Sequence, residues 1–207
     1  MSVVIIDYGA GNLRSVQKAV ERAGYTPMIS DNPHVVGSAE AVILPGVGAA
    51  ADTMSNLRNH RMEGPVREVI AAGTPFLGVC MGLQALLTTS EEDGEQRCLD
   101  IVRGSVRRLP GGLKVPHMGW NQVRQLRPHP IFRGIPDRSY FYFVHSYYAE
   151  PEDSDAVFGE TEYGVAFASV VARGNLVATQ FHPEKSGELG LKLYANFLGR
   201  ALGAGAE

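Results

Sequence analysis

The chain has 207 residues, 20% of them charged and 44% hydrophobic, with a formal net charge of −3, which suits one globular domain with its own core over 1–207. That charge leaves no footprint for nucleic acid, no run reaches the ~18 apolar residues of a membrane span, and the opening Met1–Asp7 lacks the regions of a signal peptide. With only two cysteines, Cys80 and Cys98, the expectation is a reduced, cytoplasmic chain in which one cysteine is a working thiol.

In chain order, Val3–Ile6 is a short β-branched run that reads as a buried strand. Leu13–Ala23 follows with helical spacing, because Leu13, Val16, Val20 and Ala23 share a face, and Gly24 stops it. Thr26–Ser30 and Ala41–Leu44 read as the next strands, the second closed by Pro45-Gly46. A helix is predicted through Met54–Ala72 with a break at Gly64-Pro65, since proline removes a backbone donor. Thr74–Val79 is a fourth strand, and Met81–Thr88 reads as helical. This alternation predicts a flavodoxin-like, mostly parallel sheet with helices on both faces. The second half changes character. Ile101–Leu109, Gln122–Leu126, Tyr140–Ala149, Val165–Ala172 and Leu176–Phe181 read as antiparallel strands added to that α/β core. Ser186 is the expected cap of a last helix carrying Leu189, Leu193 and Phe197, and Gly203–Glu207 reads as a loose end.

Gly78-Val79-Cys80-Met81-Gly82 joins an apolar strand to a helix. A glycine two residues either side of a nucleophile is the pattern of an elbow, here with cysteine in the serine position. A helix start beside the sulfur would favour thiolate. A thiol also needs a base. His182 ends a strand-like run and can accept the proton, and Glu184, two residues on, can hold the other imidazole nitrogen. A separate His-x-Glu pair is weak, but the elbow and the pair at the ends of two apolar strands meet at one sheet edge. For acyl transfer, Met81 N–H is one oxyanion donor, and the Pro45-Gly46-Val47-Gly48 turn offers Val47 N–H as a second. The glycines flanking Val47 would let that peptide turn over. Gln84, one helical turn past Cys80, is placed to orient an amino-acid substrate, with a solvated helix residue as the bland alternative. The remaining histidines show no metal-ligand spacing and read mostly as surface or structural, so neither metal nor cofactor is expected.

Two other classes compete. Gly9-x-Gly11 after a strand hints at a dinucleotide site, but Arg14 stands where a third glycine is needed. A non-catalytic flavodoxin-like module with Cys80 as redox sensor is opposed by the intact His182/Glu184 pair.

With these residues quoted, the chain resembles the triad-type (class I) glutamine amidotransferases over nearly its whole length. Gly78–Gln84, Pro45–Gly48 and Phe181–Glu184 match that family in identity, order and spacing. Asp7–Val16, Val115–Gln122, Tyr142–Tyr147 and Lys185–Gly187 are similar to one subgroup, glutaminase subunits that feed ammonia to a separate (β/α)8 cyclase in histidine biosynthesis. The chain lacks the βα units of that barrel. The resemblance implies a heterodimer and a glutamyl thioester on Cys80. It also implies glutamine held by Gly48, Gln84, Glu92 and the Ser146–Tyr147 backbone. Trp120, Asn121, Tyr142 and Lys185 are the implied contact surface, with Trp120 in a presented loop and core packing as its bland alternative. A glutaminase subunit of another synthase remains the alternative within the family.

Overall fold

The computed structural model describes residues 2–9 and 11–201, and its core is built on short parallel strands. Strands β1 (Val3–Ile6), β3 (Ala41–Leu44) and β4 (Phe76–Val79) bury every side chain. Successive side chains point to opposite faces, so each strand feeds two cores. Val3 and Ile5 pack with Val16 and Val20 of α1 (Leu13–Arg22) and with Leu193 and Phe197 of α6 (Gly187–Ala201). Val4 and Ile6 pack with α2 (Pro33–Gly37), α3 (Ala50–Asn59) and α4 (Glu63–Ala71) through Val36, Leu57 and Val66. Gly24 takes a φ of +92° just past α1, the left-handed turn that ends many helices.

With β2 (Pro27–Ser30) and β13 (Leu176–Thr179), the parallel strands lie in the order β2-β1-β3-β4-β13. All four of these pairings are parallel, so the carboxyl ends of β3, β4 and β13 lie side by side. Beyond β13 the sheet turns mainly antiparallel through β12 (Ala166–Arg173), β10 (Tyr147–Pro151) and β7 (Gly104–Arg108). The short β5 (Thr89–Ser90) and β6 (Gln96–Arg97) finish that edge. Strand β11 (Val157–Glu162) pairs with β12 and with β8 (His117–Gln125), and β8 carries β9 (Ser139–His145) as a hairpin.

Four expectations are corrected. The break in the long helix falls at His60–Met62, where Arg61 has a φ of +56°. Pro65 instead lies in the first turn of α4, where no helical donor is missed. The helix after Cys80, α5 (Met81–Gln84), lasts one turn. The carbonyls of Ala85, Leu86 and Leu87 are taken by the N–H groups of Leu99, Ile101, Val102 and Asp100, so the helix cannot continue. Its macrodipole is correspondingly small. The segment around Trp120 is part of β8, not a loop. Ser186 does not cap α6 with its hydroxyl, which donates to the His182 carbonyl and accepts from Tyr142 N–H. The loose end expected at Gly203–Glu207 lies outside the described residues.

Candidate active site

Cys80 sits between β4 and α5 with φ +53° and ψ −105°, a conformation that costs a non-glycine residue about 1–3 kcal/mol. Neighbouring bonds hold it there. Its N–H donates to Thr179 O of β13 at 2.7 Å, and its carbonyl accepts from Leu83 and Gln84 N–H. The elbow is also packed too tightly for side chains at its glycines. A Cβ on Gly82 would lie 2.1 Å from Leu44 O, and one on Gly46 2.5 Å from Met81 Cβ. The Pro45–Gly48 turn is therefore pressed against the elbow, and Tyr8, fully buried at the end of β1, donates its hydroxyl to Pro45 O at 3.0 Å.

His182 follows β13 and its side chain is 2% exposed, as is that of Glu184. Nδ1 lies 2.8 Å from Glu184 Oε1, so the carboxylate fixes the ring and its tautomer. Nε2 is buried and has no hydrogen-bond partner of ordinary length. Burial by itself would lower the imidazole pKa, but the charge of the nearby Cys80 sulfur, together with Glu184, overcomes it and raises the group to about 10. The site therefore favours a proton on His182 beside the sulfur. Cys98 has no such setting, and burial pushes its thiol up to about 11 despite Arg58.

Cys80 and His182 line a cavity of about 390 Å³ that also takes in Val47, Gly48, Met81, Gln84, Glu92, Ser146, Tyr147 and Lys185. Ten residues read from the sequence thus meet around one volume, with Glu184 behind His182. Gln84 is not a solvated helix residue: it is 2% exposed, and its Nε2 donates to Tyr147 O at 2.7 Å and to Gln180 Oε1 at 3.0 Å. Both its hydrogens are engaged, which leaves Oε1, an acceptor, to the cavity. Glu92 Oε2 accepts from Ala50 N–H at 2.7 Å, and partial burial raises its carboxyl pKa, so a cation beside it would be stabilising.

The family model of class-I glutamine amidotransferases matches residues 4–201. The chain belongs to that family. Among its relatives, the protein of Moorella thermoacetica described as imidazole glycerol phosphate synthase subunit HisH is 55% identical over 195 residues, 94% of this chain and 93% of that one. The protein of the same description from Dehalococcoides mccartyi strain CBDB1 is 51% identical over 201 residues, 97% and 98% of the two chains. Among solved structures, PurLQS from Thermotoga maritima aligns with a TM-score of 0.76 at 17% identity, covering 96% of this chain and 98% of that one. The glutaminase domain of Trypanosoma brucei CTPS aligns with a TM-score of 0.70 at 15% identity, covering 97% and 93%. At those identities the two structures show a shared fold.

In this amidotransferase the expected contact residues divide between the two faces of the β8–β9 hairpin. Trp120 pairs with Tyr142 across the strands, their rings 6.0 Å apart, and Lys185 Nζ lies 6.0 Å from the Tyr142 ring. Trp120 is 56% exposed and Met118 61%, so the only tryptophan is not a core residue. Asn121 faces the other way. Its Nδ2 donates to Glu162 O and to His117 Nε2, and its Oδ1 accepts from Gln122 N–H.

Sequence reasoning left out a buried histidine pair on that inner face. His117 Nδ1 and His145 Nε2 are 2.9 Å apart, and His145 Nδ1 is 2.9 Å from Tyr147 O. A carbonyl only accepts, so Nδ1 of His145 carries the hydrogen and its Nε2 accepts from His117. Burial keeps both rings neutral, holding His145 down to about 3 and His117 to about 4. The alternation of Phe141, Phe143 and His145 along one face of β9 was the available signal for one of the two. Gln180, inside the apolar run Leu176–Phe181, was also missed.

Proposed function

We propose that the chain is the glutaminase subunit of imidazole glycerol phosphate synthase, hydrolysing glutamine and passing ammonia to a separate (β/α)8 cyclase subunit in histidine biosynthesis. The observation that carries the chemistry is His182: Nδ1 is held by Glu184, Nε2 has no partner of ordinary length, and the residue lines the same cavity as Cys80. Identity above 50% to subunits of that synthase over nearly the full length supports the choice within the family.

In this mechanism Cys80 Sγ attacks the side-chain carbonyl carbon of glutamine. Negative charge develops on that oxygen, and Met81 and Val47 N–H groups are the assigned donors to it. His182 Nε2 gives its proton to the amide nitrogen, the C–N bond breaks, and ammonia leaves a glutamyl thioester. His182 then takes a proton from water, which attacks the thioester, and the proton returns as Cys80 departs. The glutamine ammonium is assigned to Gln84 Oε1 and Glu92, both acceptors on the cavity. Gly48 and the Ser146–Tyr147 backbone hold the rest of its main chain.

The contact surface for the cyclase is assigned to the exposed face carrying Trp120 and Tyr142, with Lys185 bridging to the cavity rim. Because Tyr142 N–H and carbonyl bond the Ser186 hydroxyl and His182 N–H, a partner seated there would act on the triad loop directly. Asn121 acts only indirectly, through His117. A free glutaminase would lose its ammonia to solvent, so the isolated chain is expected to be nearly inactive, with the Gly46–Val47 peptide as the element that turns. The test is glutamate release by the purified chain, with and without the cyclase and its ligand. Activation by the barrel supports the reading; full turnover by the chain without it, or none with it, contradicts the reading.

A further inference from the structure

We propose that Gln180 is a further catalytic residue of this site, donating a side-chain N–H to the Cys80 sulfur with a polarity that the Tyr147 carbonyl imposes. The proposal rests on the glutaminase reading for its functional consequence but not for its geometry.

Gln180 is fully buried and its Nε2 lies 3.7 Å from Cys80 Sγ, an ordinary N–H to sulfur distance. Its backbone N–H bonds Ser169 O at 2.9 Å, which anchors the residue beside β12. Whether an N–H or an oxygen faces the sulfur decides what Gln180 does, and the network fixes it. The Tyr147 carbonyl cannot donate. Gln84 must present Nε2 to it, at 2.7 Å, and the second hydrogen of that nitrogen goes to Gln180 Oε1 at 3.0 Å. With Oε1 turned to Gln84, Gln180 has only Nε2 for Cys80. The reversed amide would set two NH2 groups against each other, a buried clash of like polarity. His145 fills the other lone pair of the same carbonyl at 2.9 Å, so the acceptor itself is held.

The consequence is chemical. A hydrogen bond to sulfur is stronger when the sulfur is charged, so the amide favours the thiolate over the thiol. It acts twice, before attack and again when the thioester breaks and Cys80 leaves. Gln180 keeps both hydrogens throughout; the proton that moves is the one on His182.

The test is alkylation of Cys80 by iodoacetamide in the full chain, measured on the Cys80 peptide so that Cys98 is counted apart. Wild type is compared with Gln180→Met and Gln180→Glu across pH. The charged groups on the cavity, Glu92, His182 and Lys185, are retained in both. The pH midpoint of alkylation should rise by about one unit in Gln180→Met, the loss of one hydrogen bond to a charged group, with the rates converging at high pH. Gln180→Glu keeps an oxygen for Gln84 and the side-chain size but sets a carboxylate beside the sulfur, so its midpoint should rise further. In the active complex, kcat should fall roughly 10-fold or more with KM within about twofold. An unchanged pH midpoint in a folded variant overturns the proposal, and Gln180→Glu carries the test if Gln180→Met does not fold. Alkylation needs neither glutamine nor a partner, so its outcome stands apart from that of the glutaminase reading.

Discussion

The carboxyl ends of β3, β4 and β13 in the parallel half carry Val47, Cys80 and His182, whereas the antiparallel β9 and β10 bring no reacting atom to the cavity. What β10 and its approach bring is a fixed acceptor, the Tyr147 carbonyl, from which two chains of hydrogen bonds run. One passes through Gln84 and Gln180 to the sulfur, and the other through His145 and His117 to Asn121. In parallel strands the ends converge by topology, so reactive groups gather there. In the antiparallel half the strand faces matter instead: one face of β8–β9 is an aromatic interior, the other an exposed apolar surface.

That contrast predicts unequal responses to mutation. The largest should come from the parallel half. His182→Asn in the active complex should lower kcat by roughly 10²–10⁴, since proton transfer is lost outright. Glu184→Gln should cost no more, because it acts only through the imidazole. A greater loss in Glu184→Gln would exchange their roles. On the exposed face of β8, Trp120→Ala should weaken cyclase binding by about 10-fold or more while shifting Tm by no more than about 2 °C, because the residue is already 56% exposed. Unchanged affinity with a large fall in Tm would return Trp120 to a packing role.

The inner face of the same hairpin should respond to pH. His117 and His145 have folded pKa values of about 4 and about 3, below the ordinary 6.5. The unfolded chain therefore binds protons that the folded one refuses. The stability this pair allows is fully present above pH 6.5 and is lost as pH falls toward 4, by roughly 2 kcal/mol per ring at pH 5 and about 3 per ring at pH 4. Melting curves from pH 7 to pH 4 should show that decline. The double variant His117→Asn/His145→Gln should flatten it, and an identical slope in that variant would remove the pair as the cause.

How far the sequence told these halves apart follows from the same geometry. Gly78–Gly82 and His182/Glu184 were legible because a nucleophile elbow and its base need particular residues at strand ends. The first five residues of β8, His117–Asn121, were not read as strand because the usual alternation is inverted there: Met118 and Trp120 point outward, and His117, Gly119 and Asn121 point in. The one-turn length of α5 depends on carbonyls claimed by Leu99–Val102, far along the chain, which no local pattern announces. Gln180 hid for a related reason. It stands inside an apolar run with no local signal of its own, and its meaning lies in Gln84 and Tyr147, which only folding brings near.

The account stands or falls on a covalent step at Cys80. The direct measurement is acid quenching of the cyclase complex during turnover with glutamine, followed by mass analysis of the Cys80 peptide. The account predicts a glutamyl adduct on Cys80 that decays as glutamate appears, with no adduct and no glutamate in Cys80→Ala, while synthesis from added ammonium salt continues. Glutamine-dependent turnover by Cys80→Ala at the wild-type rate would contradict it.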